Sequence, residues 1–122
     1  MNPKEKVKVE DLVYKENNLI PVVVQDSITK EVLTVAYANV EALKKTLNTG
    51  YAHFWSRSRK KIWMKGETSG NYLKVQKVKV DCDNDTLLYL AKPSGPTCHT
   101  GNVTCFFNEL EGSEKLNKKN SN

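Results

Sequence analysis

Short segments in which apolar and polar side chains alternate dominate this sequence, and they constrain the fold more than any other feature. The alternation is clearest at residues 31–38, where Leu33, Val35 and Tyr37 fall on one face. A period of two residues is typical of β-strands that bury one face. Because an apolar run at 19–24 precedes this segment across turn-forming residues, we predict a β-hairpin.

One segment has the spacing of an α-helix instead. Apolar residues recur at intervals of three and four positions between Val40 and Leu47. Asn39 is a favoured N-cap residue, and Gly50 lies where a left-handed residue would end a helix. We therefore predict one clear helix near residues 40–48.

The remaining patterns indicate a mainly β (α+β) domain. In the predicted strand at residues 73–80 the alternation of apolar and polar residues shifts by one position at Gln76 and Lys77. This shift predicts a β-bulge. A chain of 122 residues suits a single domain, which we place at 1–110, and the polar tail at 111–122 is expected to be flexible. The other predicted strands are residues 51–56, 62–65, 73–80 and 87–91.

Three carboxylates follow the strand that is predicted to end at Val80. Asp81, Asp83 and Asp85 alternate in the sequence, so an extended backbone would place them on one face and Cys82 on the other. Three neighbouring acids repel one another, and a hard divalent cation such as magnesium relieves that repulsion. A solvated acidic turn at the end of a strand is an equally supported alternative.

Three cysteines, Cys82, Cys98 and Cys105, form no C-x-x-C pair, which disfavours the common structural zinc modules. Three thiolates still suffice for a catalytic zinc that keeps a fourth position for water. Small buried cysteines are the alternative. Cys98 lies in a Gly- and Pro-rich loop at 95–101, which is a poor place for a core residue, so the zinc site is favoured.

The two histidines, His53 and His99, are the candidate proton carriers. A zinc held by three thiolates is a weaker Lewis acid than one held by imidazoles, so a neighbouring base would help to form hydroxide. His99 is adjacent to Cys98 and is the first candidate. His53 is the second, with packing in a strand as its alternative role.

Basic residues without an acidic neighbour fill residues 57–65. Arginine and serine side chains suit phosphate, and Trp63 offers a face for stacking on a base. A solvated charged hairpin explains the same pattern. The net charge of +5 suits anionic partners but does not choose among them. The basic residues are Arg57, Arg59, Lys60, Lys61 and Lys65.

Four motifs that occur in order resemble the phosphoribosyl-AMP cyclohydrolase family. The resemblance covers roughly residues 19–107, with Ala38 and Thr104 as slight departures. It implies a compact β pseudobarrel that forms an intertwined homodimer. The motifs are residues 56–59 (SRSR), 63–71 (WMKGETSGN), 81–85 (DCDND) and 95–106 (GPTCHTG through the last cysteine and Phe106).

The resemblance implies a hydrolase of the third step of histidine biosynthesis. Zinc-bound hydroxide would add to C6 of the adenine ring of 1-(5-phosphoribosyl)-AMP, and the N1–C6 bond would break. The zinc site would be shared between subunits. The implied zinc ligands are Cys82, Cys98 and Cys105, the magnesium ligands are Asp81, Asp83 and Asp85, and the residues assigned to the substrate are Arg57, Arg59, Trp63, Lys65 and Ser69.

Other functions are less well supported. A zinc-dependent base deaminase is disfavoured because its H-x-E and P-C-x-x-C signatures are missing. A non-enzymatic zinc and nucleic-acid binding module is the alternative, although the acidic triplet would repel a phosphate backbone. The polar residues 1–8 and the lack of a long apolar run predict a cytoplasmic protein without a membrane partner. The acidic triplet predicts that nucleic acid is not a partner.

Overall fold

β-strands dominate the structure, a computed structural model that describes residues 6–116. The predicted mainly β (α+β) class is confirmed. The elements are the 3₁₀ turns Val9–Asp11 and Glu16–Asn18, the strands β1 (Ile20–Asp26), β2 (Val32–Ala38), β3 (His53–Ser56), β4 (Lys61–Met64), β5 (Leu73–Val80) and β6 (Leu87–Pro93), and the helix α1 (Val40–Thr49).

Two sheets form the framework. The larger has the order β2-β1-β6-β5, in which β1 and β6 are parallel and the other pairs are antiparallel. The β3–β4 hairpin is a separate sheet that packs against α1 and β2. The predicted β1–β2 hairpin is confirmed. The pseudobarrel is open, since within residues 6–116 only the isolated bridge between Tyr51 and Lys74 links β5 to the chain just before β3.

Two β-bulges interrupt the large sheet. The predicted bulge in β5 is confirmed by the register shift between Val75 and Lys77. A second shift, opposite the Val24–Gln25 step of β1, adds an extra residue to β2. That bulge turns Leu33 into the core and leaves Val35 47% exposed, so the prediction that these side chains share one face is wrong. A bulge breaks the two-residue period on which that prediction rested.

The helix α1 begins at the predicted residue, ends one residue later than predicted, and has both predicted cap residues. The Asn39 side chain accepts a hydrogen bond from the backbone N–H of Ala42 at 2.8 Å, and Gly50 has a left-handed φ of 83°. The buried face carries Leu43. Leu47, which the spacing assigned to the same face, is 52% exposed, because Ala42, Leu43 and Thr46 form the buried face of the helix.

The core lies between the large sheet and a layer made of α1 and the β3–β4 hairpin. Tyr89 and Phe54 are its largest fully buried side chains, and their rings stack at 6.1 Å between centroids. Burial raises the pKa of Tyr89 to about 12, so this side chain is a neutral core residue at physiological pH.

The chain ends are described only in part. Residues 111–116 of the predicted tail form a turn and the start of a helical segment, and residues 1–5 and 117–122 lie outside the described residues. No helix within 6–116 is long and apolar enough to cross a membrane.

The loop after β4 generates a stability prediction. Gly66 and Gly70 both have positive φ, but a Cβ at Gly66 would lie 2.5 Å from the backbone of Asn71, whereas one at Gly70 meets open space. We expect Gly70→Ala to lower the free energy of unfolding by about 1–2 kcal/mol. We expect Gly66→Ala to cost about 1–3 kcal/mol more. Urea unfolding measures both values, and equal losses would contradict the close approach.

Candidate active site

The acidic motif is a tight turn between β5 and β6. The Asp81 backbone N–H donates to the Thr86 carbonyl at 3.1 Å, and Asn84 adopts a left-handed φ of 60°. The turn brings ligand oxygens of all three aspartates within 4.8 Å of one another. The predicted convergence is therefore present, but its cause is the turn and not the extended backbone that we assumed.

Asp81 organises this turn. Its Oδ1 accepts hydrogen bonds from the backbone N–H groups of Asp85 at 2.9 Å and Thr86 at 3.2 Å. These bonds, with the N–H of Asp85 first, hold the pKa of Asp81 below its ordinary value. Asp85 is also paired with Lys15 Nζ at 3.5 Å. The Asp81 carboxylate is therefore ionised at neutral pH, and it fixes the shape of the turn that carries Asp83 and Asp85.

The glycine-rich loop folds back on itself and places Cys98 beside Cys105. Cys98 N–H donates to the Asn102 carbonyl at 3.0 Å. The chain then joins the free edge of β2, where Cys105 N–H donates to the Leu33 carbonyl at 2.8 Å. The Thr104 hydroxyl donates to the Val32 carbonyl at 2.7 Å. A serine there would supply the same hydroxyl, so this departure from the family pattern leaves the contact possible.

The Cys98 thiol is in an environment that favours a thiolate. It is 7% exposed, and the Thr100 hydroxyl donates to its Sγ at 3.0 Å. That hydrogen bond, followed by smaller contributions that include the Cys105 thiol and Lys65, lowers the pKa of Cys98. A thiolate is the form that binds metals.

Cys82 does not join the other two cysteines. It is exposed and lies in the acidic turn at one end of the large sheet. Cys105 adjoins the opposite end of the edge strand β2, about 10 Å away across two strand spacings alone. Within residues 6–116, only the aspartates bring together three ligands of the His, Cys, Asp or Glu type.

The two candidate bases differ in how they are held. His53 lies in β3, and its Nδ1 is 2.8 Å from the Tyr51 carbonyl. Because a carbonyl only accepts, Nδ1 carries the proton and Nε2 of the neutral ring is left as the acceptor. The His53 backbone N–H donates to the Thr46 hydroxyl at 2.9 Å. His99 is exposed in the cysteine loop.

The residues predicted to bind the substrate are spread along the β3–β4 hairpin and the loop that follows it. Arg57 and Arg59 lie in the turn between the two strands. Lys65 follows β4, where its charge acts on Cys98. Ser69 accepts a hydrogen bond from the Asn71 backbone N–H at 3.1 Å.

Trp63, which was predicted to stack on a base, has a packing role. It lies directly opposite Phe54 in the hairpin, and the ring centroids are 5.5 Å apart. Trp63 is one of the half-buried side chains that pack against the core.

The structure adds Trp55 and two asparagines, which sequence reasoning missed, to the basic residues that it had singled out. A cleft of about 490 Å³ is lined by Trp55, Arg57 and Lys60, together with the asparagines of the turn before β1. Trp55 follows His53 by two residues in β3, so the period-two rule could have placed both on one face. The asparagines approach the cleft only through the tertiary fold, and no local pattern would have identified them.

Comparison with known proteins identifies the family. The family profile described as "Phosphoribosyl-AMP cyclohydrolase" matches residues 34–107, which is more than half of the chain. A protein of that name from Archaeoglobus fulgidus is 60% identical over 104 residues, covering 85% of this chain and 96% of the relative. This chain belongs to the phosphoribosyl-AMP cyclohydrolase family. The predicted membership is confirmed, and all candidate site residues lie inside the matched range.

Two kinds of relative occur among the similar proteins of the phosphoribosyl-AMP cyclohydrolase family. The phosphoribosyl-AMP cyclohydrolase of Lacticaseibacillus casei is 58% identical over 102 residues, covering 84% of this chain and 93% of the relative. The histidine biosynthesis bifunctional protein HisIE of Aquifex aeolicus is 57% identical over 104 residues. Those residues cover 84% of this chain but only 51% of the bifunctional protein.

The support of His53 in this cyclohydrolase-family site generates a prediction. The buried Thr46 hydroxyl accepts from His53 N–H and donates to the Ala42 carbonyl at 3.1 Å. We expect Thr46→Val to lower the free energy of unfolding by about 1–3 kcal/mol, because it leaves a backbone N–H without a partner. Thr46→Ser keeps the hydroxyl and loses one methyl group, which costs about 0.8 kcal/mol. Urea unfolding compares the two, and a smaller loss for Val than for Ser would contradict this role.

Proposed function

We propose that this protein is a phosphoribosyl-AMP cyclohydrolase of histidine biosynthesis. The observation that carries the proposal is the family match over residues 34–107, with a relative of that name 60% identical over 85% of the chain. The reaction is hydrolysis of the N1–C6 bond in the adenine ring of 1-(5-phosphoribosyl)-AMP. Loss of the purine absorbance when the purified protein is mixed with this substrate tests the proposal. Unchanged absorbance with metal-loaded protein would overturn it.

A zinc ion fits the thiols if two copies of the chain contribute. Cys98 and Cys105 lie together, and sulfur ligands suit zinc. A catalytic zinc takes three protein ligands, and the exposed Cys82 lies at the other end of the sheet. We assign the third ligand to Cys82 of a second copy in a homodimer. When bound, zinc lowers the pKa of a water molecule and so supplies a nucleophile at neutral pH.

The chain's own residues handle the proton. His53 Nε2 is the acceptor of a ring whose orientation the Tyr51 carbonyl holds, so it receives a proton without first rearranging. His99 lies beside Cys98 on an exposed loop and is the group better placed to exchange a proton with solvent. The oriented ring favours His53 as the general base, which reverses the order that the sequence alone suggested.

The acidic turn supplies the magnesium site, and the β3–β4 hairpin supplies the contacts to the substrate's phosphates. Asp81, Asp83 and Asp85 offer a set of oxygen donors that fits magnesium. Arg57 and Lys65, at the two ends of the hairpin, suit the substrate's phosphates. Thiols that must stay reduced to bind zinc fit a cytoplasmic location.

Complementation between two inactive variants tests the shared zinc site. We expect Cys82→Ala and Cys98→Ala homodimers each to lose stoichiometric zinc and ring opening. In a mixed dimer one of the two sites contains both substitutions and the other contains neither. Unfolding and refolding an equal mixture should therefore restore about a quarter of the wild-type sites.

Activity and zinc content by mass spectrometry measure the outcome. Each variant refolded alone is the control. A mixture that stays inactive, although subunits exchange, would place all three thiols in one chain or remove zinc from the mechanism.

A second prediction concerns magnesium. Asp83 is exposed and only its backbone takes part in the turn's hydrogen bonds, so Asp83→Asn should preserve the fold. We expect it to weaken magnesium binding about tenfold or more, because an ionised ligand is lost, while zinc content stays unchanged. Glu31→Gln, which removes an exposed carboxylate far from the turn, is the matched control. Calorimetric titration with magnesium measures both, and identical isotherms would refute the assignment.

A further inference from the structure

The cleft beside the β3–β4 turn has the size and charge of an anion site. Its volume of about 490 Å³ lies within the range of pockets that bind small organic ligands. Arg57 and Lys60 line it, and no carboxylate does. Among residues 6–116 the ion pair is that of Lys15 with Asp85, so both cations of the cleft lack an acidic partner.

Arg57 is oriented before any ligand binds. Its guanidinium carbon lies 4.2 Å from the centroid of the Tyr37 ring, a cation–π contact that restricts its rotamers. The half-buried Tyr37 ring presents one face to Arg57, since the bulge in β2 changes which side chains enter the core. A guanidinium held in this way loses less entropy when it binds an anion.

The cleft and the candidate base lie on the same face of one strand. His53 and Trp55 are separated by two residues in β3, about 7 Å, and both point away from the core that contains Phe54. At the other end of the hairpin, Lys65 lies near Cys98. A ligand that presents its reacting ring to His53 therefore extends along β3 toward Trp55.

We propose that this cleft binds one of the two 5′-phosphoribosyl groups of the substrate. Arg57 and Lys60 bind the phosphate, and the Trp55 ring packs against the ribose. This assignment rests on the proposed function, and it adds Trp55 and Lys60 to the residues that determine substrate binding. It leaves the second phosphate to the opposite end of the hairpin.

Titration with ribose 5-phosphate tests the site without turnover. Tryptophan fluorescence of the wild-type chain should change saturably, and Trp55→Phe should abolish that change although Trp63 remains. Lys60→Gln should weaken binding about tenfold because a charged hydrogen bond is lost. Lys61→Gln, the same charge change on the neighbouring residue outside the cleft, should stay within about twofold of wild type.

Three outcomes would overturn the assignment. They are the absence of a saturable change in the wild-type chain, a full-sized change in Trp55→Phe, and equal weakening by Lys60→Gln and Lys61→Gln. Because Lys60 has a left-handed φ of 52°, Gln is preferable to a β-branched replacement there.

Kinetics separate this proposal from the proposed function. With the bis-phosphoribosyl substrate, Lys60→Gln should raise KM about tenfold with a smaller change in kcat, since it removes binding remote from the reacting ring. If the wild type opens the ring but Lys60→Gln and Lys61→Gln have equal KM values, the assignment of the cleft as a phosphate site is refuted and the enzymatic function stands. Ribose 5-phosphate binding at Trp55 without ring opening would refute the enzymatic function alone.

Discussion

The parallel pairing of β1 with β6 is the contact on which the rest of the structure depends. It runs from Val22 opposite Leu87 to Asp26 opposite Ala91 and joins two hairpins that are far apart in the sequence. Parallel strands require a long crossover, and here the chain between β1 and β6 contains β2, α1, the β3–β4 hairpin and β5. Because the crossover contains the β3–β4 hairpin, the same pairing places His53 in the layer that packs against the large sheet and closes the core.

The large sheet that this β1–β6 pairing holds together also separates the chemical groups of the site. The acidic turn with Cys82 connects β5 to β6, whereas Cys105 is hydrogen-bonded to the far end of β2. Strands in a sheet are stiff and evenly spaced, so one chain does not bring these sulfurs together. That separation supports the proposal that two copies complete each zinc site. The proposed magnesium ligands lie in the same turn as Cys82.

The register of the β3–β4 hairpin divides its side chains between structure and chemistry. Phe54 and Trp63 are opposite each other and contact the core. His53 and Trp55 lie on the other face, where the protonated Nδ1 of His53 is hydrogen-bonded to the Tyr51 carbonyl. Cations lie at both ends of the hairpin, and His53, opposite Met64, lies at the same end as Lys65. Small substrates that are anionic at two ends suit such a surface.

The sequence by itself determined the local elements of this protein. Caps, turns and spacings within a few residues determine three features. They are the two helix termini at Asn39 and Gly50, the β1–β2 hairpin, and the bulge at Val75. The motifs also indicated the family, because cysteine, aspartate and basic side chains occur in them in a specific order. These features depend on interactions between near neighbours, which a sequence displays directly.

Only the tertiary structure decided which faces and which groups meet. The bulge that turns Leu33 inward and the packing of Trp63 on Phe54 depend on partners distant in the chain. The same is true of the isolation of Cys82 from the other thiols and of the cleft at Trp55. Whether a side chain is buried depends on the assembled core and not on the residue spacing alone. Alternation therefore predicts that a strand exists, but it does not predict which of the strand's side chains are buried in the core.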